Sequence, residues 1–400
     1  MDRINQTAKE HYRVTRRYFL QLSSMGIALP NISTLYAQSD EAEIHSLVAE
    51  AVSKLEYLTR DEDFINFGRG KPPPHTLSSE KLLEAGLTPE SWRLEVLADP
   101  ESNAEVERPL SKELGTALDW DGFMKMAEKK AVRFMSVVSC TNVKEPCGMG
   151  LWEGVPLREV IWLARPVGNI RRVFYYGFHN DDPEQRFQGS LPIGRVLEDP
   201  PGEEPVILCY KLNGAFLSLK RGGPVRILAP DVYGNKSVKW VQRIFLTNNF
   251  LANDTYALWN NDTASSLKTN ARFIHVPESV KAVEGSAITG VAQVGMSGLS
   301  KVQYWLCPKD QTLSADDPYF NDAPWRDADI LPQPDNWGGG LPDGELPSIP
   351  SQFDSKSGKA LRWPLRNAIV HWAALLAVDE PGEYDLRCRT IDANGVAQPM

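Results

Sequence analysis

The chain has 400 residues, 42% hydrophobic and 24% charged, with a formal net charge of −9. That apolar share supports a buried core spread over about two to three domains and excludes a disordered chain, while the acidic balance excludes a general nucleic-acid binder, which needs a basic face. No apolar run reaches the roughly 18 residues that a membrane-spanning helix needs.

In chain order, the first signal is Thr15-Arg16-Arg17-Tyr18-Phe19-Leu20-Gln21, followed by the apolar stretch Leu22 to Leu35. A basic start ahead of an apolar segment reads as a signal peptide, and the Arg16-Arg17 pair with Phe19-Leu20 resembles a twin-arginine export signal. Cleavage is expected near Ala37-Gln38. Residues 1–38 are therefore set apart, and the protein is expected in the periplasm.

A helix is expected over Glu41 to Leu58, then an irregular stretch around Lys71-Pro72-Pro73-Pro74. Ser91 to Leu97 alternates as a strand does. Leu118 to Glu128 reads as a helix with Trp120, Phe123, Met124 and Met126 on its apolar face. Ala131 to Cys140 reads as a buried strand, Leu157 to Ala164 as a short helix, and Arg172 to Phe178, Val206 to Leu212 and Val225 to Ala229 as strands. No regular βαβ beat appears, so the fold class is α+β. After residue 275 short alternating strands take over: Ala287 to Val294, Val302 to Leu306 and Tyr384 to Thr390. That texture is the signal of a β-sandwich. Residues 308–358, rich in Asp, Pro and Gly, read as a long excursion between strands. The domains expected are 45–275 and 276–400.

Five cysteines are present, Cys140, Cys147, Cys209, Cys307 and Cys388. The odd count leaves at least one thiol unpaired in an exported protein. No Cys-x-x-Cys occurs. Cys140 and Cys147, with Pro146 between them, leave two readings open: a small disulfide loop, or a lone metal ligand. Cys209 and Cys388 lie in apolar alternating segments and read as buried.

Four segments in order carry a resemblance. They are Phe134-Met135-Ser136-Val137-Val138-Ser139-Cys140; Leu151-Trp152-Glu153-Gly154-Val155-Pro156-Leu157-Arg158; Tyr210-Lys211-Leu212-Asn213-Gly214 with Gly223-Pro224-Val225-Arg226; and Tyr233-Gly234-Asn235-Lys236-Ser237-Val238-Lys239-Trp240. Together they resemble the sulfite oxidase family of molybdopterin oxidoreductases. Trp325, Ala328, Trp372, Gly382 to Arg389 and Asp392 to Pro399 resemble that family's immunoglobulin-like dimerisation domain. The resemblance implies a molybdopterin-binding catalytic domain over 45–275, an immunoglobulin-like domain over 276–400, and a homodimer.

It also implies a molybdenum cofactor with Cys140 as metal ligand, and Tyr256 near the metal. Asn66, Arg69, His179, Arg221, Arg226, Lys236, Ser237 and Lys239 are implied contacts of the pterin. The residue chemistry agrees. A thiolate is a soft donor for a high-valent metal, and cations with a hydroxyl suit a pterin phosphate. Packing or a surface loop remains the alternative for Tyr256 and His179, and Trp152 and Trp240 either touch the cofactor or pack in the core. The sequence departs from the family in three places. The segment Phe64 to Lys71, with Asn66 and Arg69, matches the family's arginine, asparagine and histidine stretch only loosely. Where typical sulfite oxidases carry an arginine after the ligand cysteine, Thr141 to Pro146 has Lys144 as its cation, and Arg221 stands for the family's histidine.

The function expected is an exported oxidoreductase that oxidises sulfite or a related sulfur compound by oxo transfer. With no haem motif, electrons are expected to pass to a separate acceptor, a c-type cytochrome. An S-oxide reductase of the same fold and a cofactor-less binding or scaffold relative are the alternatives.

Overall fold

The structure is a computed structural model that describes residues 48–67, 70–141, 143, 145–178, 187–260, 262–280, 285–311, 316–378 and 380–399. The expected signal peptide, Arg69 and His179 lie outside the described residues. Of the expected first helix, the described part is helical over 48–53.

Two five-stranded sheets build the first half of the molecule. One orders Leu118–Asp119, Arg93–Ala98, Arg243–Thr247, Arg172–Tyr176 and Gln188–Pro192, with Arg93–Ala98 parallel to Arg243–Thr247. The other runs antiparallel through Val132–Val138, Gly148–Pro156, Ile207–Leu212 and Ala215–Phe216, and Arg226–Leu228 pairs with Ile207–Leu212. Helix Trp120–Lys130 starts where Asp119 Oδ1 accepts the Gly122 amide at 2.8 Å, the usual use of an acidic N-cap. Phe123 and Ala127, one turn apart, bury the face that packs between the sheets.

Strand Gly148–Pro156 is buried at every residue and is one of those the sequence pattern hid. A strand enclosed on both faces shows no alternation. Its glycines permit close approach: a Cβ at Gly154 would lie 2.5 Å from the Leu208 carbonyl.

The second half is a six-stranded antiparallel array in the order Asn270–His275, Ser286–Val294, Ala368–Leu376, Arg326–Ile330, Lys301–Pro308, Tyr384–Ile391. It curls until its ends meet. Ala271 N–H donates to Gln398 Oε1 at 2.8 Å, and Thr390 Oγ1 to Thr269 O at 3.3 Å. Ile288, Val302, Val370, Trp372 and Cys388 fill the interior. Two expectations shift here. Asn270–His275 pairs with Ser286–Val294, so the second unit starts before residue 276. The excursion over 308–358 contributes the strand Arg326–Ile330, and its later part is packed rather than looping free.

That later part joins the halves. Trp337, Phe353 and Leu365 share one core with Tyr57, Leu58, Met135, Met149 and Leu151. Each large apolar side chain buried there contributes about 1.5–3 kcal/mol. Backbone bonds cross the same seam, from Leu58 N to Trp337 O at 2.9 Å, Val137 N to Asn367 O at 2.8 Å and Ser351 N to Arg133 O at 2.8 Å.

Candidate active site

Cys140 lies two residues beyond the end of strand Val132–Val138 in the all-antiparallel sheet of the first half. Its segment is held on both sides. Ser139 O accepts the Gly234 amide at 2.7 Å, and the Thr141 hydroxyl is hydrogen-bonded to the Tyr256 hydroxyl. Tyr256 rides on helix Thr255–Asn260. Two residues 116 apart in sequence are thereby neighbours through Thr141.

All five cysteines are free thiols, so the small-loop disulfide between Cys140 and Cys147 is not formed. Cys147 is buried, and burial pushes its thiol up to about 12. Cys209 and Cys388 are buried as well, and burial pushes each up to about 12. Cys140 is half-buried, which leaves it the one cysteine open to a ligand.

A cluster of cations lies near Cys147. The Cys147 thiol feels the charges of Cys140, Lys239, Arg226 and Arg221. Arg226 is buried, and its guanidinium donates to backbone carbonyls of Arg221 at 2.9 Å, Ser237 at 2.8 Å and Ile227 at 3.3 Å. It lies over the Trp152 ring, 5.5 Å from the centroid. Burial pushes it down to about 10. Arg221 is also buried, stacked on Phe64 at 5.2 Å, and its Nε has no hydrogen-bond partner. Asp61, half exposed, approaches that Nε at 3.4 Å.

Lys239 Nζ donates to Asn66 Oδ1 at 2.8 Å, Phe67 O at 2.6 Å and Lys220 O at 2.7 Å. Burial, with Arg226 and Arg221 nearby, pushes it down to about 6. Three oxygen acceptors match the three N–H groups of an ammonium, while burial and the two arginines oppose its charge. Asn66 and Lys239, both expected at the site, therefore touch across 173 residues of sequence.

Lys236 and Ser237 differ from the rest of the set. Lys236 is fully buried and its ammonium is bonded to Asp254. The Ser237 hydroxyl accepts the Ala229 amide at 3.0 Å. Both tryptophans commit their indole N–H to backbone, Trp152 to Ser136 O at 2.9 Å and Trp240 to Leu219 O at 2.8 Å, and both pack in the core. Phe64, Asp61, Asp254 and Ser190 were not singled out by sequence. Only Asp254, preceding a threonine at a helix start, left a local signal.

The donor set fits an anionic, metal-bearing group. Three cations face one half-exposed carboxylate, the buried Arg221 Nε meets that carboxylate without making a hydrogen bond, and the Cys147 thiol feels both these cations and Cys140. Arg221, Arg226, Lys239 and Asn66 are the residues that would hold its phosphate, and Cys140 the one that would hold its metal. Among the described residues no cluster of three or more His, Cys, Asp or Glu side chains could hold a separate metal ion.

Residues 84–254 match the family described as oxidoreductase molybdopterin binding domain. The match is thus to a molybdopterin-binding oxidoreductase domain, in line with what the resemblance implied. Among relatives, mitochondrial sulfite oxidase of Mus musculus is 31% identical over 110 residues, 27% of this chain and 19% of that one. Sulfite oxidase of Gallus gallus is 33% identical over 96 residues, 23% of this chain and 20% of that one. The NADPH nitrate reductase of Beauveria bassiana is 31% identical over 100 residues, 24% of this chain and 10% of that one. The matched part thus spans a fifth or less of these relatives' own length. The crystal structure of sulfane dehydrogenase SoxCD from Paracoccus pantotrophus superposes with a TM-score of 0.55 at 16% identity, covering 88% of this chain and 83% of that chain, and so shares its fold. Among the described residues no helix is long and apolar enough to cross a membrane.

Proposed function

We propose that the protein is an exported molybdenum oxidoreductase of the sulfite oxidase type, which oxidises sulfite or a related sulfur compound and passes electrons to a separate acceptor, a c-type cytochrome. The observation that carries this is the half-buried Cys140 thiol, tied through Thr141 to Tyr256 and near Cys147, whose thiol also feels Lys239, Arg226 and Arg221, three cations that face a single half-exposed carboxylate. When bound, the cofactor supplies oxo transfer and accepts two electrons at its metal. Cys140 supplies the thiolate. Arg221, Arg226 and Lys239 neutralise the cofactor's phosphate, with Asn66 orienting Lys239. Tyr256 holds a hydroxyl proton beside the Cys140 segment.

The matched sulfite oxidases and the fold neighbour, a sulfane dehydrogenase by name, support a sulfur substrate. The missing arginine after Cys140 keeps the class wider than sulfite alone. Arg16-Arg17 supports export to the periplasm by the twin-arginine route. The curled strand array supports an immunoglobulin-like domain that pairs two copies of the chain.

Metal analysis and stopped-flow reduction test this reading. The purified protein is expected to carry about one molybdenum per chain, bound through the single thiolate of Cys140, and to be reduced by sulfite, thiosulfate or a small sulfur compound. A metal-free protein from cells competent in cofactor synthesis would overturn it.

A further inference from the structure

Two charged side chains sealed from solvent sit beside the Cys140 segment, outside the cation cluster. Lys236 and Asp254 are both fully buried and bonded to each other. Asp254 also accepts from the Ser190 hydroxyl at 2.6 Å, and Arg172 donates to that hydroxyl at 3.3 Å. A buried ion pair is a poor stabiliser, because desolvating two charges offsets most of their attraction. What such a pair does well is fix direction.

Here it joins two grips on one short segment. Lys236 ends the turn Gly234–Lys236, whose first amide holds Ser139 O, one residue before Cys140. Asp254 opens helix Thr255–Asn260, accepting the Ala257 amide at 3.3 Å and the Leu258 amide through its carbonyl at 3.0 Å. That helix carries Tyr256, whose hydroxyl holds Thr141, one residue after Cys140. The contacts close a ring: Cys140 segment, turn, ion pair, helix, and back to the Cys140 segment.

We propose that Lys236 and Asp254 are positioning residues, a buried clasp that fixes the Cys140 thiol relative to the Tyr256 hydroxyl. Its functional meaning rests on the reading of Cys140 as the metal ligand; its mechanics do not.

The test uses the full chain and three forms: wild type, Lys236→Met with Asp254→Leu, and Asp254→Asn, which keeps the side chain's volume. In metal-free protein, alkylation of Cys140 by N-ethylmaleimide is followed by peptide mass spectrometry, at an equal interval below each melting temperature. The buried Cys147, Cys209, Cys307 and Cys388 serve as internal standards. The double variant is expected to melt only modestly lower than wild type, since apolar groups replace a buried pair at little cost and the loss is confined to the Asp254 bonds with Ser190 and the Ala257 amide. Its Cys140 should nevertheless react about fivefold faster, because the segment opens locally more often. In loaded protein kcat should fall about tenfold with KM little changed, the mark of lost alignment rather than lost binding. Wild-type alkylation rates in both variants would overturn the clasp, and Asp254→Asn decides alone if the double variant does not fold. A wild-type protein without molybdenum would sink the proposed function while the alkylation contrast still decides the clasp.

Discussion

Lys236 and Lys239 stand three residues apart in one motif, and the fold gives them opposite surroundings. Lys236 is enclosed with a carboxylate, Asp254, and its charge is spent inside the protein. Lys239 is surrounded by oxygens that carry no full charge and by two arginines that repel it. One cluster is complete as it stands; the other is electrostatically short of an anion. The difference separates residues that hold the site's shape from residues that wait for its occupant, although the sequence presents them alike.

The largest expected effect falls at the point both clusters flank. Cys140→Ser should lower turnover by about a thousandfold or more, because a hard oxygen donor replaces a soft thiolate at the metal. Steady-state rates at equal molybdenum content check it, and a fully active serine variant would dissolve the comparison.

Next comes the closed cluster. Asp254→Leu leaves Lys236 buried and unpaired, and should cost about 3–5 kcal/mol of stability. Asp61→Leu, at the rim of the open cluster, should cost about 1 kcal/mol or less, since Asp61 is half exposed and meets the buried Arg221 only at 3.4 Å. Urea unfolding of both variants measures the contrast, and equal midpoints would erase it.

A smaller effect probes the open cluster directly. Millimolar inorganic phosphate should raise the stability of metal-free wild-type protein by about 1 kcal/mol, by binding the folded state alone. Lys239→Met should abolish that gain, and Lys236→Met with Asp254→Leu should keep it. Thermal melts with and without phosphate decide the point.

The last effect is a slope with pH. Lys239 sits at about 6 in the fold against 10.5 ordinarily. Between those values the unfolded chain binds the extra proton, so the lysine's unfavourable contribution is full below about 6 and fades as pH rises. Metal-free wild type should therefore gain stability from pH 6 toward pH 8 relative to Lys239→Met. Parallel curves for the two proteins would refute the assignment.

Much of this was legible in the residues. The strands Ser286–Val294 and Tyr384–Ile391 announce themselves by alternation, and Cys140, Arg226 and Lys239 stand in motifs whose order points to the cofactor. Gly148–Pro156 was not legible as a strand, because enclosure on both faces removes the alternation that reveals one. Asn270–His275 was placed in the wrong half, because its partner strand lies beyond the turn that looked like a boundary. The separate surroundings of Lys236 and Lys239 depend on Asp254, Phe64 and Asn66, which come together only in space, so no local pattern carries them.

The core shared by Tyr57, Leu58, Met135 and Met149 with Trp337, Phe353 and Leu365 has a consequence for how the molecule comes apart. A chain cut between its halves would bare aromatic surface on both pieces, so neither is an autonomous folding unit. The two halves should melt as one cooperative body, and the distance between the Cys140 segment and the outer strands is set by a weld rather than a hinge.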